Sequence, residues 1–121
     1  MTIVILMGEP KVTCDVDDNN VEFYTVEIPI SDCNHIRVEA ETMIKFAKTY
    51  NIEVVNRILP LTYILLDKVQ PITKDMTEAI QSLDISQSRD KEVCSLVEYL
   101  KQQIKYLLSF DSQPAIAVWE Y

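Results

Sequence analysis

The residues best suited to catalysis lie between positions 32 and 35. Asp32, Cys33 and His35 would suit a nucleophilic mechanism, in which an imidazole removes the proton of a thiol. His35 is the only histidine, however, and a nucleophile and its base usually come from distant segments. The sequence therefore favours a polar loop with a half-buried cysteine. A small cysteine-dependent enzyme that uses Cys33 and His35 remains the alternative from a different function class.

Metal and cofactor sites need residue sets that this chain lacks. Cys33 and His35 would need both Cys14 and Cys94 to complete a structural zinc site, which takes four ligands. Gly8 is the only glycine, so the glycine-rich loops that bind dinucleotides and nucleotide phosphates are excluded. We expect no cofactor, no metal and no catalysis.

One acidic segment has the alternating oxygen donors of a calcium loop: Asp15, Asp17, Asp18 and Asn20. Counted from Asp15, the sixth place holds Asn20 where a calcium loop has glycine. The twelfth place holds Val26 where a bidentate Glu is needed. We expect a solvated turn here.

Composition limits the classes of partner. The 121 residues are 48% apolar and 25% charged, which is typical of one globular domain spanning residues 1–121. Nineteen acidic against eleven basic side chains give a net charge of −8, which disfavours nucleic acids and anionic membranes. Three cysteines without a CxxC pair indicate free thiols and an intracellular protein, cytoplasmic or nuclear.

Short apolar and alternating runs predict an antiparallel sheet within residues 2–30. Ile3–Met7 is a β-branched apolar run, and Lys11–Val16 alternates as a half-buried strand does. Asp17–Asn20 predicts a turn. The apolar phase then changes, which predicts a bulge near Phe23–Tyr24, and Pro29 marks a sheet edge or exit.

Helical periodicity begins near Ile36 and predicts a helix that ends near Asn51. Val54–Val69 is apolar almost all round, and Pro60 starts or kinks a helix there. A buried strand at Tyr63–Leu66 is the competing interpretation. We expect an α+β fold, in which four or five helices pack on one face of the N-terminal sheet.

Two further helices have recognisable starts. Thr73 is a candidate N-cap, and Asp84–Ser88 is a polar break after which Ser88 caps the longest helix. The apolar stripe of that helix comprises Val93, Leu96, Val97, Leu100, Ile104, Leu107 and Leu108.

Aromatic residues near the C-terminal end are candidates for contact with a protein partner. Tyr99 and Tyr106 flank the stripe and are expected at the rim of an interface. The apolar tail after Pro114 either docks on its own domain or faces a partner, and we favour a tail that stays loosely packed until bound. Its candidate contacts are Ile116, Val118, Trp119 and Tyr121.

Several segments resemble a known family of adaptors. They are Val26–Ile30 with Met43–Tyr50, Pro71–Ile80, Ser82–Ile85 with Cys94 and Val97, and the stretch from Ile104 to Trp119. This order is similar to the Skp/elongin-C family, the BTB/POZ-type adaptors of cullin ubiquitin ligases, although the family's "AAN" before its "LDI" is missing. The resemblance implies a BTB/POZ-like fold and an adaptor that links a cullin to an F-box-like receptor. It adds Leu83, Asp84 and Ile85 to the expected partner contacts.

These observations together predict a non-catalytic protein–protein interaction module, which under the resemblance is an adaptor. Two alternatives of the same class stay open, a viral or phage-type inhibitor and a small subunit of a larger assembly. A homodimer is also left open.

Overall fold

The computed structural model describes residues 2–31, 34–58, 69–109 and 113–120. The strands are β1 (Thr2–Gly8), β2 (Lys11–Val16), β3 (Glu22–Glu27), β4 (His35–Glu39), β5 (Gln70–Pro71) and β6 (Ala115–Glu120). The helices in these ranges are α1 (Ala40–Tyr50), α2 (Ile52–Ile58), α3 (Lys74–Gln81) and α4 (Lys91–Leu107), with a 3₁₀ turn at Ile85–Gln87. The α+β class with an antiparallel sheet is confirmed. The predictions for Pro60 and Tyr63–Leu66 lie outside the described residues.

The main sheet draws its strands from distant parts of the chain. Its order is β4-β1-β6-β5, and every neighbouring pair is antiparallel. The apolar run of β1 lies between two partners, so that Ile5 is opposite Ile36 on one side and Val118 on the other. The sheet was predicted to form within residues 2–30. This prediction is wrong for the main sheet, because β1 is the only strand of that segment that belongs to it.

The segment from His35 to Glu39 is a strand where the periodicity predicted the start of a helix. Ile36 and Val38 alternate with polar residues, and pairing with β1 stabilises the extended form. Helix α1 begins only at Ala40 and ends at Tyr50, with Asn51 in the left-handed region at φ 74°, so the predicted end is confirmed.

The helices and one sheet face form the main core. Ile3, Ile5 and Met7 of β1 pack in one apolar cluster with the stripe of α4. Every predicted stripe residue from Val93 to Leu107 is buried, whereas Leu108 is half exposed. The opposite sheet face has a smaller cluster of its own, formed by Leu6, Ile28, Ala115 and Ala117.

Helix caps follow from local side-chain chemistry. Thr73 caps α3 as predicted, because its hydroxyl accepts a hydrogen bond from the Met76 amide at 3.1 Å. The predicted cap of α4 is wrong: Asp90, not Ser88, accepts from the Glu92 and Val93 amides at 3.0 and 3.1 Å.

None of the helices within the described ranges combines the length and the apolar character needed to cross a membrane.

Candidate protein-binding surface

Strands β2 and β3 form a two-stranded hairpin that is separate from the main sheet. Their pairing runs without interruption from Lys11 opposite Glu27 to Val16 opposite Glu22. The predicted bulge near Phe23–Tyr24 is therefore wrong. The shift in the alternation of apolar residues instead places apolar side chains on both faces of this hairpin, which we also call the ribbon.

The turn of the hairpin is held by Asp17. One oxygen of its carboxylate accepts hydrogen bonds from the amides of Asn19 and Val21, both at 2.9 Å. The Asn20 amide donates to the Asp17 carbonyl at 3.0 Å, and Asn20 takes a left-handed backbone with φ 60°. Asn tolerates that conformation better than most residues do. Asp17, one of the oxygen donors that suggested a calcium loop, thus fixes the turn.

One face of the hairpin is almost wholly apolar. Residues directly opposite each other in an antiparallel pair point to the same side. The register therefore gathers six residues on one side, of which Glu22 is the charged one, and we call the five others the apolar ribbon face: Val12, Cys14, Val16, Tyr24 and Val26. The other side alternates more polar pairs, Lys11 with Glu27, Thr13 with Thr25 and Asp15 with Phe23.

The apolar ribbon face is open to solvent. Val12 is 64% exposed, Tyr24 69% and Val26 46%, although the alternation in the sequence predicted a half-buried strand. An isolated two-stranded hairpin is at best marginally stable, and contiguous exposed apolar side chains mark interaction sites. This face is the candidate functional site.

A cleft opens where the ribbon joins the main sheet. Its volume is about 430 Å³, and its walls are Leu6, Val26, Glu27, Ile28, Pro29, Ile30, Val69 and Ala117. Gly8 permits close packing against Ile28 where the ribbon joins the main sheet, because a Cβ at position 8 would lie 2.8 Å from Cγ2 of Ile28. Strand β3 has already ended when the chain reaches Pro29, in agreement with the predicted exit from a sheet.

The side chains of Asn34, in the segment itself, and of Tyr99, on α4, hold the segment that leaves the ribbon. The side-chain amide of Asn34 donates to the Pro29 carbonyl at 2.7 Å, and its oxygen accepts from the backbone amide of Ser31 at 2.8 Å. The Tyr99 hydroxyl lies 2.6 Å from the Asn34 carbonyl and 3.2 Å from the Ile5 carbonyl. Burial raises the pKa of Tyr99. Tyr99 therefore links α4 to the sheet, and the expectation that it lies at the rim of an interface stays a prediction.

The net charge of the chain is concentrated on this part of the structure. Residues 9–27 contain one lysine, Lys11, and six carboxylates: Glu9, Asp15, Asp17, Asp18, Glu22 and Glu27. This formal charge of −5 is more than half of the total of −8. The apolar ribbon face thus lies in a strongly negative environment.

The predicted contacts in the tail belong to the sheet. Ile116 is 3% exposed in the main core, and Val118 packs against that core. The backbone of Trp119 lies opposite Val4, while the Trp119 side chain and Tyr121 lie outside what the structure describes. The prediction of a loosely packed tail is wrong, because β6 pairs with β1 along its whole length.

The other predicted contacts are divided between core and surface. Leu83 is buried, while Ile85 and Tyr106 are exposed. Asp84 accepts hydrogen bonds from the amide and hydroxyl of Ser86 at 3.0 and 2.7 Å, which lower the pKa of its carboxyl. Its carbonyl accepts from the Tyr50 hydroxyl at 2.6 Å. The three consecutive residues Leu83, Asp84 and Ile85 therefore do not form one surface.

The residues considered for catalysis and metal binding are not brought together where the structure describes them. Cys33 lies outside the described residues, and Nδ1 of His35 is 2.7 Å from the Ser31 carbonyl. Cys14 is on the exposed ribbon, whereas Cys94 donates from its thiol to the Ser88 carbonyl at 3.3 Å. Within the described ranges, no group of three His, Cys, Asp or Glu side chains could hold a metal ion.

Comparison of the chain with protein-family models, with curated proteins and with solved structures gives no match, and the resemblance to the Skp/elongin-C family stays a prediction.

Proposed function

We propose that this protein is a non-catalytic protein-binding module and that the apolar ribbon face is its contact surface. The observation that carries the proposal is the exposure of Val12, Cys14, Val16, Tyr24 and Val26 on one face of the hairpin. Burial of these side chains in a complex would remove apolar surface from water.

The hairpin is also suited to binding because its turn is already ordered. The two amides held by the Asp17 carboxylate and the left-handed Asn20 fix the turn before any partner arrives. A preorganised loop loses less conformational entropy on association. Tyr24, at the centre of the face, is of a residue type enriched among the residues that dominate binding energy.

The narrower versions of this proposal differ in the partner. An adaptor would bind a cullin or an F-box-like protein inside the cell, a viral or phage-type inhibitor would bind one host protein, and a subunit would bind its assembly. The identity of the protein that contacts the ribbon distinguishes these versions.

Site-specific photo-crosslinking tests the proposal. A photoreactive phenylalanine analogue replaces Tyr24 on the ribbon in one variant and Tyr106 on α4 in the matched variant, since these tyrosines are 69% and 60% exposed. We expect one protein to be crosslinked from position 24 and not from position 106. The purified partner should then bind Val26→Gln at least tenfold more weakly than the unchanged chain, a loss of about 1.4 kcal/mol.

Ile52→Gln is the control for this loss, because Ile52 is an exposed apolar residue at the start of α2, away from the ribbon. Its affinity for the partner should not change. Crosslinking from position 106 alone, or equal affinities of the Val26 and Ile52 variants, would contradict the proposal.

A further inference from the structure

We infer that the partner presents a basic segment with one large apolar side chain, which enters the cleft at the base of the ribbon. This inference rests on the proposed function and specifies the chemistry of the partner.

The distribution of charge favours a basic partner. The net −5 of residues 9–27 contrasts with nearly balanced charges in two other segments: residues 34–58 have four basic and three acidic side chains, and residues 69–109 have five and six. Lysine and arginine side chains would be attracted to the ribbon, and exposed charges act over about 10 Å at 0.1 M salt. A second copy of this chain would bring the same negative charge to the face and be repelled.

The cleft favours an apolar anchor. Its walls are mainly apolar, and a volume of about 430 Å³ is within the range of pockets that bind organic groups. Val26 belongs both to the apolar ribbon face and to the wall of the cleft, so a segment lying along the ribbon would reach the cleft without a gap. A large side chain such as tryptophan would bury apolar surface there.

Glu27 indicates where the basic residues of the partner lie relative to its apolar anchor. It is the only carboxylate among the cleft-lining residues that the structure describes, and its side chain is exposed. A lysine or arginine next to the anchor in the partner sequence would therefore lie near this carboxylate. The recognised pattern is a large apolar residue with basic neighbours.

Short synthetic peptides of equal length provide the probes. The first peptide is rich in lysine and arginine around a central tryptophan, the second has alanine in place of that tryptophan, and the third is acidic around tryptophan. Fluorescence anisotropy of labelled peptides gives their affinities for the full chain at low and at high salt. We expect the first peptide to bind at least tenfold more tightly than the other two and to weaken as salt rises.

Variants of exposed residues locate the binding. Ile30→Gln should weaken the tryptophan peptide at least tenfold, and Glu27→Gln should reduce the dependence of its affinity on salt. Ile52→Gln and Glu53→Gln are the matched controls on α2 and should leave both quantities unchanged.

Four outcomes would overturn the inference. Equal binding of basic and acidic peptides, or equal effects of the Ile30 and Ile52 variants, would show that charge or cleft has no role. A dimer of the full chain in light scattering that Val26→Gln converts to a monomer would show that a second copy covers the ribbon. If no peptide binds but position 24 still crosslinks to a partner, the inference fails while the proposed function stands; if neither is seen, both fail.

Discussion

Replacement of Ile116 by alanine tests whether the C-terminal strand is part of the domain. Ile116 lies in β6, opposite Met7 of β1 and Gln70 of β5, and is 3% exposed in the main core. The substitution removes three carbon atoms, and loss of their burial together with the cavity left behind costs about 2–5 kcal/mol. This is a large part of a total stability of about 5–15 kcal/mol.

The predicted loss is large enough to measure by two methods. A domain of this size loses roughly 4 °C of melting temperature per kcal/mol, so Ile116→Ala should melt about 8–20 °C lower. Urea unfolding followed by far-ultraviolet circular dichroism gives the free energy. Fluorescence of Trp119, the only tryptophan, gives a second transition that reports on β6 itself.

Ile52→Ala is the matched control, since Ile52 is 55% exposed, and its effect should stay within about 0.5 kcal/mol. Equal effects of the two substitutions would refute the placement of Ile116 in the core. A tryptophan transition at lower urea than the circular-dichroism transition would show that β6 separates first, as expected for a tail that waits for a partner.

Three further predictions concern α4 and the thiol chemistry. Leu100→Ala should cost about 2–5 kcal/mol in urea unfolding, because Leu100 is fully buried, whereas Lys105→Ala on the exposed side should cost no more than about 0.5. The Val93 amide lowers the pKa of Asp90 below that of an unfolded chain, about 3.9, so this stabilisation is present above that pH and is lost as pH falls through the folded pKa. Asp90→Asn should therefore show a smaller loss of urea midpoint between pH 5 and pH 3 than the unchanged chain. Cys33 should react with iodoacetamide at pH 6 no faster than free cysteine, and a much faster reaction would revive the cysteine-enzyme alternative.

Local patterns in the sequence were sufficient for α4 and for the start of α3. The apolar residues from Val93 to Leu107 recur on one face of the helix over several turns, and packing that face on the core removes them from water. The cap of α4 was missed because Ser88 and Asp90 are both good caps two positions apart. Only Asp90 directly precedes the first helical residue and reaches two free amides.

Strand β4 could not be predicted from its own residues. Ile36 and Ala40 are four positions apart and so fit the helical spacing of α1, but the alternation of Ile36 and Val38 fits a strand equally well. Pairing with β1, more than thirty positions earlier in the chain, decides between the two. Local periodicity contains no information on that pairing.

The exposure of the apolar ribbon face was not predicted, for a related reason. Alternating residues such as Val12 and Val16 predict a strand, and a strand of this kind usually packs one face on a core. The structure leaves that face uncovered. Two signals were available in the sequence: apolar residues occupy both alternating phases near Phe23 and Tyr24, and most of the acidic excess falls within residues 9–27.

The sheet order has a consequence for synthesis of the chain on the ribosome. Ile3 of β1 pairs opposite Glu120 of β6, so the nascent chain must release every described element before β1 gains this neighbour. At about 5–20 residues per second, β1 waits on the order of ten seconds without it. Its run of Ile3, Val4, Ile5, Leu6 and Met7 is the kind of segment that aggregates when exposed. During that interval the edge of β1 that pairs with β6 is open to a ribosome-associated chaperone, and a chain that stops before β6 would leave that edge unpaired.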